Sequence, residues 1–162
     1  MLEAFDLFKK NDKNNIKLLI VGEKYFWNKE MKKVWKNLSY KNDVIFTGHL
    51  QAEDMKNALA AAIAMIYVSY FEGFGLPIIE AMQCKVPVIT SNISSMPEIA
   101  GDAALLVNPF SIKDIASAIK QITTNIDLRN DLIEKGTLRA KKFSWDDCAE
   151  NVWKAIEKCL YA

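Results

Sequence analysis

The sequence is short of the residue types on which most reaction chemistries depend. Its 162 residues include one histidine, His49, and three cysteines, Cys84, Cys148 and Cys159. One imidazole and three scattered thiols do not have the spacing of a zinc site. No Ser or Cys sits in a recognisable nucleophile turn, so His49 reads as a loop residue and not as the base of a Ser-His or Cys-His system. No Asp-x-Asp pair occurs to clamp a divalent cation against a diphosphate, and neither a metal nor a cofactor is expected. The cysteines are too few for a disulfide framework and read as free thiols, which implies a reducing compartment. The longest apolar stretch, Ala58 to Val68, is well short of the ~20 residues that cross a bilayer, and Met1 opens no signal-like segment. A cytoplasmic location is the expectation. Charge of one sign is lacking too: 21 Lys and Arg against 20 Asp and Glu leave +1, which gives no global field to draw in nucleic acid.

What the chain has is apolar material, 51% of its residues, enough for the core of one domain spanning 1–162. Short, almost continuously apolar runs at Lys17 to Val21, Val44 to Thr47, Ala64 to Ser69, Val86 to Thr90 and Ala104 to Val107 read as strands buried on both faces. Between them, Trp27 to Leu38, Ala52 to Ala61 and Leu76 to Gln83 carry helical patterns, the crossovers that parallel strands require. Ser95-Met96-Pro97-Glu98 opens a short helix, with Glu98 as a helix-start residue. The alternation predicts an α/β fold with a doubly wound, Rossmann-like parallel sheet. After Val107 it stops. Ile112 to Ile122, Asp127 to Lys142 and Trp145 to Leu160 form a helical C-terminal extension, with Ser111 and Ser144 as candidate N-caps. Trp145 and Trp153 share one face of the last helix and read as packing residues. The charges of Lys29 to Lys36 fall on the outer positions of a helix and read as a solvated face.

The chemistry concentrates in Ser69-Tyr70-Phe71-Glu72-Gly73-Phe74-Gly75-Leu76-Pro77-Ile78-Ile79-Glu80-Ala81-Met82, which leaves a buried strand and enters a helix. Two glycines free the backbone for a tight turn, and Pro77 fits the first helical turn, where a missing N–H costs nothing. The amides around Phe74, Gly75 and Leu76 therefore offer an anion site at a helix N-terminus. Glu72 and Glu80 bracket it. Neither is placed to bind phosphate, but carboxylates accept hydrogen bonds from hydroxyls. A ligand with a central anion and hydroxylated groups on either side, such as a nucleoside diphosphate sugar, suits this arrangement. A Gly-x-Gly turn is commonly no more than a fold requirement, and paired glutamates are common, so the flanking pattern decides between the two readings.

That pattern resembles the C-terminal, nucleotide-sugar-binding domain of retaining GT-B glycosyltransferases of family 4. Glu72 and Glu80, with seven residues between them, are similar to its Glu-x7-Glu motif. Lys17-Leu18-Leu19-Ile20-Val21-Gly22, Val44-Ile45-Phe46-Thr47-Gly48, Val86-Pro87-Val88-Ile89-Thr90-Ser91, Met96-Pro97-Glu98-Ile99, Ala103 to Pro109 and Phe143-Ser144-Trp145 resemble that domain in order.

The resemblance implies a hexosyl transfer from a nucleoside diphosphate sugar, UDP- or GDP-linked, to a saccharide or lipid-linked acceptor, with retention. It implies that Glu72, the catalytic residue, contacts hydroxyls of the transferred sugar. Gly73, Phe74, Gly75 and Leu76 would hold sugar and diphosphate, Glu80 the ribose hydroxyls, and Leu50, in Gly48-His49-Leu50, the base. Two departures stand out. The family's domain begins with another strand, ending in Gly-Arg and followed by a Lys that neutralises the diphosphate, whereas this chain opens at Leu2-Glu3-Ala4-Phe5, already inside the next helix. Lys24 also replaces a frequent second glycine. The expectation is a donor-binding half that lacks its N-terminal acceptor domain and the first family strand, inactive alone. The two strands flanking the missing one should close on each other or be bridged by a second copy, and self-association is expected. The full enzyme would contact membranes peripherally. Two alternatives share these residues: an epimerase of the same fold, and a non-catalytic nucleotide-binding or assembly module.

Overall fold

The computed structural model describes residues 1–23 and 27–160, so Lys24 lies outside the described residues. Each apolar run forms a strand: β1 (Leu18–Val21), β2 (Val44–Gly48), β3 (Met65–Tyr67), β4 (Val88–Ser91) and β5 (Ala104–Val107). The crossovers are α2 (Lys29–Asn37), α3 (Ala52–Ala60), α4 (Leu76–Gln83) and α5 (Met96–Ala100), with α1 (Leu2–Lys9) ahead of β1. A short 3-10 turn, Lys41–Asp43, leads into β2. The last three helices are α6 (Ile112–Thr124), α7 (Ile126–Ala140) and α8 (Trp145–Leu160). Both expected caps are present: the Ser111 hydroxyl accepts from the Asp114 amide at 3.2 Å, and the Ser144 hydroxyl from the Asp146 and Asp147 amides at 3.1 and 3.2 Å.

Two strands are shorter or displaced, for reasons of hydrogen bonding. Pro87 has no N–H to give a ladder, so β4 begins at Val88, and only the Pro87 carbonyl serves β3, accepting from the Met65 amide at 2.9 Å. At the other end β3 stops at Tyr67, where side chains take over from the ladder. The Thr90 hydroxyl donates to the Tyr67 carbonyl at 2.7 Å and the Ser91 hydroxyl to the Ser69 carbonyl at 2.5 Å. Thr90 and Ser91 are fully buried, so their hydroxyls need partners within the protein, and these bonds fix the strand ends where the loops depart.

All strand pairs are parallel, and the winding is double. Along β4, Val88 packs with Ile78, Met82, Met96 and Ile99 of α4 and α5, while Ile89 packs on the opposite face with Phe5 and Phe8 of α1 and Ile115, Ile119 and Ile122 of α6. The strands fall into two ladders, β1-β2 and β3-β4-β5. Leu18 and Ile20 of the first and Ile66 and Leu105 of the second rest on one apolar cluster. Among the described residues no strand lies between β1 and β3, and these two do not pair, so the closure that sequence reading allowed does not occur. A charged clamp fixes the first ladder on its helix. Buried Lys9 donates to Asp12 at 2.7 Å and to the Ile16 carbonyl at 3.0 Å, and pairs with Asp43 at 3.0 Å, which also meets Lys17. This clamp pins the starts of β1 and β2 to α1.

The outer helix departs from expectation. Every residue of α8 is exposed, so Trp145 and Trp153 do not pack as predicted; among the described residues no element covers the face that carries them. No described helix is long and apolar enough to cross a membrane.

Candidate functional site

In parallel α/β sheets, functional groups gather beyond the carboxyl ends of the strands. The loop after β3 and the start of α4 lie there. Gly75 caps α4 with φ of 106°, a left-handed conformation, and a Cβ at that position would sit 3.2 Å from Ile78 Cδ1. Glycine is thus required twice, by backbone conformation and by space. The Ile78 amide donates to the Gly75 carbonyl at 2.9 Å, which closes the first turn and leaves the amides of Phe74, Gly75 and Leu76 ahead of the helical ladder. Pro77 stands in that first turn, as the sequence predicted.

Glu72 is half-buried, and its surroundings keep it ionised. Hydrogen bonds from Tyr67 first, and Ser69 second, hold its carboxyl below the usual carboxylate range, against the smaller opposing effect of burial. The partner responds in the opposite sense: burial, then the bond to Glu72, pushes the Tyr67 phenol up to about 12. The backbone of Glu72 is held as well. Its amide donates to the Ser94 hydroxyl at 3.2 Å, and its carbonyl accepts from Ser94 at 2.9 Å and from Ser95 at 3.0 Å. Ser95 also reaches the Phe74 carbonyl at 2.9 Å, so two serines before α5 tie down both sides of Gly73.

From the other side, Phe74 meets Phe143 edge to face, with ring centroids 5.7 Å apart. The Arg139 guanidinium lies 5.1 Å from the Phe143 ring centre and donates from Nε to the Ile99 carbonyl at 2.9 Å. Arg139 also donates to the Glu98 carbonyl. Through this chain, α5 and α7 support the glycine turn. Glu80, on the second turn of α4, is exposed. The structure therefore gathers Glu72, Gly73, Phe74, Gly75, Leu76 and Glu80 around one turn. It places Leu50 on the other ladder, half-buried after β2. There the Gly22 amide donates to the Gly48 carbonyl at 2.9 Å and the His49 amide to Glu23 at 3.3 Å.

Sequence reading missed Tyr67, Ser69, Ser94 and Ser95. Tyr67 stands five residues before Glu72, and its phenol is the leading cause that lowers the Glu72 carboxyl, a relation set by where β3 ends and visible only in three dimensions. The Ser94-Ser95 pair carried a weak signal, since two adjacent hydroxyls precede the short α5. A cleft of about 460 Å³ between α1 and α6, lined by Phe8, Asp12, Lys113 and Lys120 among others, contains none of the site residues. The candidate site is instead an open surface beyond the carboxyl end of β3.

Residues 1–139 match the protein family described as glycosyl transferases group 1. The chain is 32% identical over 157 residues to the O-antigen chain mannosyltransferase B of Escherichia coli, covering 97% of this chain and 41% of that protein. It is also 32% identical over 159 residues to the O-antigen chain mannosyltransferase RfbU of Salmonella typhimurium, covering 97% and 44%. The chain thus spans less than half the length of these relatives. Among solved structures it superposes on the sucrose-phosphate synthase of Thermosynechococcus elongatus with a TM-score of 0.81 at 24% identity, covering 99% of this chain and 42% of that one. It superposes on Anabaena HepE, in complex with UDP-glucose, with a TM-score of 0.82 at 19% identity, covering 97% and 44%. The fold is the one found in GT-B glycosyltransferase structures.

Proposed function

The chain belongs to the glycosyl transferases group 1 family, and from that premise we propose that it is the donor-binding part of a longer glycosyltransferase. In this reading it holds a nucleoside diphosphate sugar, UDP- or GDP-linked, whose hexosyl group goes to a saccharide or lipid-linked acceptor with retention. Mannose is the favoured sugar, on the names of the 32%-identical relatives. The observation that carries the proposal is the turn from Glu72 to Leu76, where an ionised carboxylate adjoins a helix N-terminus that begins on a left-handed glycine.

Each part has a task. As the glycosidic bond breaks, negative charge grows on the departing diphosphate, and the amides of Phe74, Gly75 and Leu76 at the positive end of α4 stabilise it without a metal. Glu72, kept ionised by Tyr67 and Ser69, accepts hydrogen bonds from the sugar hydroxyls and steadies the positive character of the ring. It acts as an orienting carboxylate, not as a covalent nucleophile. Glu80, one helical turn further along, takes the ribose hydroxyls, and Leu50 supplies apolar contact to the base.

Titration calorimetry of the chain with UDP, GDP and ADP is the test. Weak but measurable binding of at least one is expected, with no sugar transfer by this chain alone, because the resemblance puts a diphosphate-neutralising Arg at the end of a strand, and a Lys just after it, that are not among the described residues. Absence of binding to all three would sink the reading, and efficient turnover would show that the chain is more complete than proposed.

A further inference from the structure

Beside the glycine turn stands an aromatic pair that the donor reading leaves unused. Tyr70, just after β3, and Phe110, just after β5, stack with centroids 4.8 Å apart and planes 10° from parallel. Both are open to solvent, at 65% and 71%, and the adjacent Phe71 is 81% exposed. Exposed rings of this size raise the free energy of the surface unless something covers them. The pair is also built on fixed ground. Ser91, at the end of β4, holds the Ser69 carbonyl at 2.5 Å, and the Asn92 amide donates to the Val107 carbonyl at 2.9 Å, so both loops are anchored to the strand between them. On the β5 side the Asn108 side chain accepts from the Phe110 amide at 3.0 Å.

The surroundings select the partner by charge. Ser69-Tyr70-Phe71 and Asn108-Pro109-Phe110-Ser111-Ile112 contain no charged residue, the charges that border them, Glu72 and Lys113, are one of each sign, and Ser111 and Asp114 already answer the positive end of α6, so the pair carries no net field for a phosphate or an ionic peptide. A neutral ligand with an apolar face and a hydroxylated rim fits, and a pyranose ring has both, its C–H face lying on an aromatic ring while its hydroxyls stay in water. We propose that Tyr70 and Phe110, flanked by Phe71, form a platform for a pyranose ring of a saccharide acceptor, on the β5 side of Glu72. This rests on the donor reading for its place in the reaction, since the base is assigned to Leu50 on the other ladder. Glu72 then lies between the two ligands, where the transferred sugar must be.

The experiment is an NMR titration of the chain with α-linked mannotriose, with and without saturating GDP, following the ring resonances of Tyr70 and Phe110. Mannotriose at millimolar concentration should shift both rings, and Phe110→Ala should weaken saccharide binding at least fivefold while leaving the GDP affinity and the backbone amide spectrum unchanged. Tyr70→Phe keeps the stack and should retain binding. If mannotriose shifts neither ring in the presence of bound GDP, the platform is wrong and the donor site stands. If GDP alone shifts the rings and Phe110→Ala weakens GDP, the pair is a base platform and the proposal is overturned. Saccharide binding sensitive to Phe110→Ala, with no nucleotide binding at all, would keep the platform and remove the donor reading.

Discussion

At the scale of single residues, the two glutamates of the site are held differently and should fail differently. Glu80 is exposed, and only its backbone carbonyl, which accepts from the Cys84 amide, serves the fold, so Glu80→Ala should weaken nucleoside diphosphate binding by about 1–3 kcal/mol, the value of a charge-assisted contact, with stability nearly unchanged. Calorimetry beside thermal melts separates the two effects. Glu72→Ala should matter little to a bare nucleotide and more to the nucleotide sugar. Tyr67 gives Glu72 a further signature. A depressed carboxyl contributes stability that is present above its unfolded pKa and lost as pH falls through its folded pKa, so the Tyr67–Glu72 link acts on the acid side, below the ordinary carboxylate range. In Tyr67→Phe the leading cause of the depression is gone, and Glu72 should titrate at higher pH. Carbon-detected NMR of the carboxylates reads this directly; an unmoved Glu72 would show that the hydroxyl does not set its charge. The carboxylates and glycines of this candidate site were legible in the sequence because Glu72 to Glu80 form one contiguous stretch of loop and helix. Tyr67 and the Ser94-Ser95 pair were not, because hydrogen bonds between the ends of neighbouring strands leave no periodic trace along the chain.

At the scale of elements, the site depends on how α4 is seated. The helix α7 crosses it at Gly136, where a Cβ would stand 3.0 Å from Met82 Cγ and 3.8 Å from its Cα. Gly136→Val should force the two helices apart at a cost of about 1–3 kcal/mol, and should loosen the glycine turn at the other end of α4. Amide exchange that speeds up at Ile78 and Ile79 as well as in α7 would confirm the linkage; loss confined to α7 would refute it. Element identity was legible almost throughout, because short apolar runs and 3.6-residue periodicity alternate cleanly from Leu18 to Val107. Strand limits were less so. Ala64 to Ser69 reads as one apolar run, but hydroxyls of Thr90 and Ser91 replace ladder bonds after Tyr67 and end the strand early. Pro87 likewise shifts the start of β4, a consequence that its missing N–H could have announced.

At the scale of the molecule, the sheet order was only partly legible, since periodicity tells a strand from a helix but not which strand lies beside which. Among the described residues, β1 and β3 each keep one unpaired row of backbone groups, and nothing covers α8. The uncovered helix has a continuous apolar stripe: Trp145, Ala149, Val152, Ile156 and Cys159 follow one another at intervals of four and three residues, the spacing of a helix seam. Its polar face carries Asp146, Asp147, Glu150 and Glu157 against Lys154 and Lys158, too acidic for the basic face of a helix that lies on anionic lipid. The charges are also unevenly distributed, with the three acids Asp146, Asp147 and Glu150 in the first half and both lysines in the second. Two copies of α8 in antiparallel contact would set the acidic half of one against the lysine-bearing half of the other while burying both stripes. The expected outcome is a dimer at micromolar concentration, seen by light scattering or sedimentation. Ile156→Asp, on a residue with no role in the core, should return the chain to a folded monomer whose melting temperature no longer depends on protein concentration. A parent chain that is already monomeric at those concentrations would refute the pairing. A dimer that survives Ile156→Asp would move the contact from α8 to the open strand edges of β1 and β3.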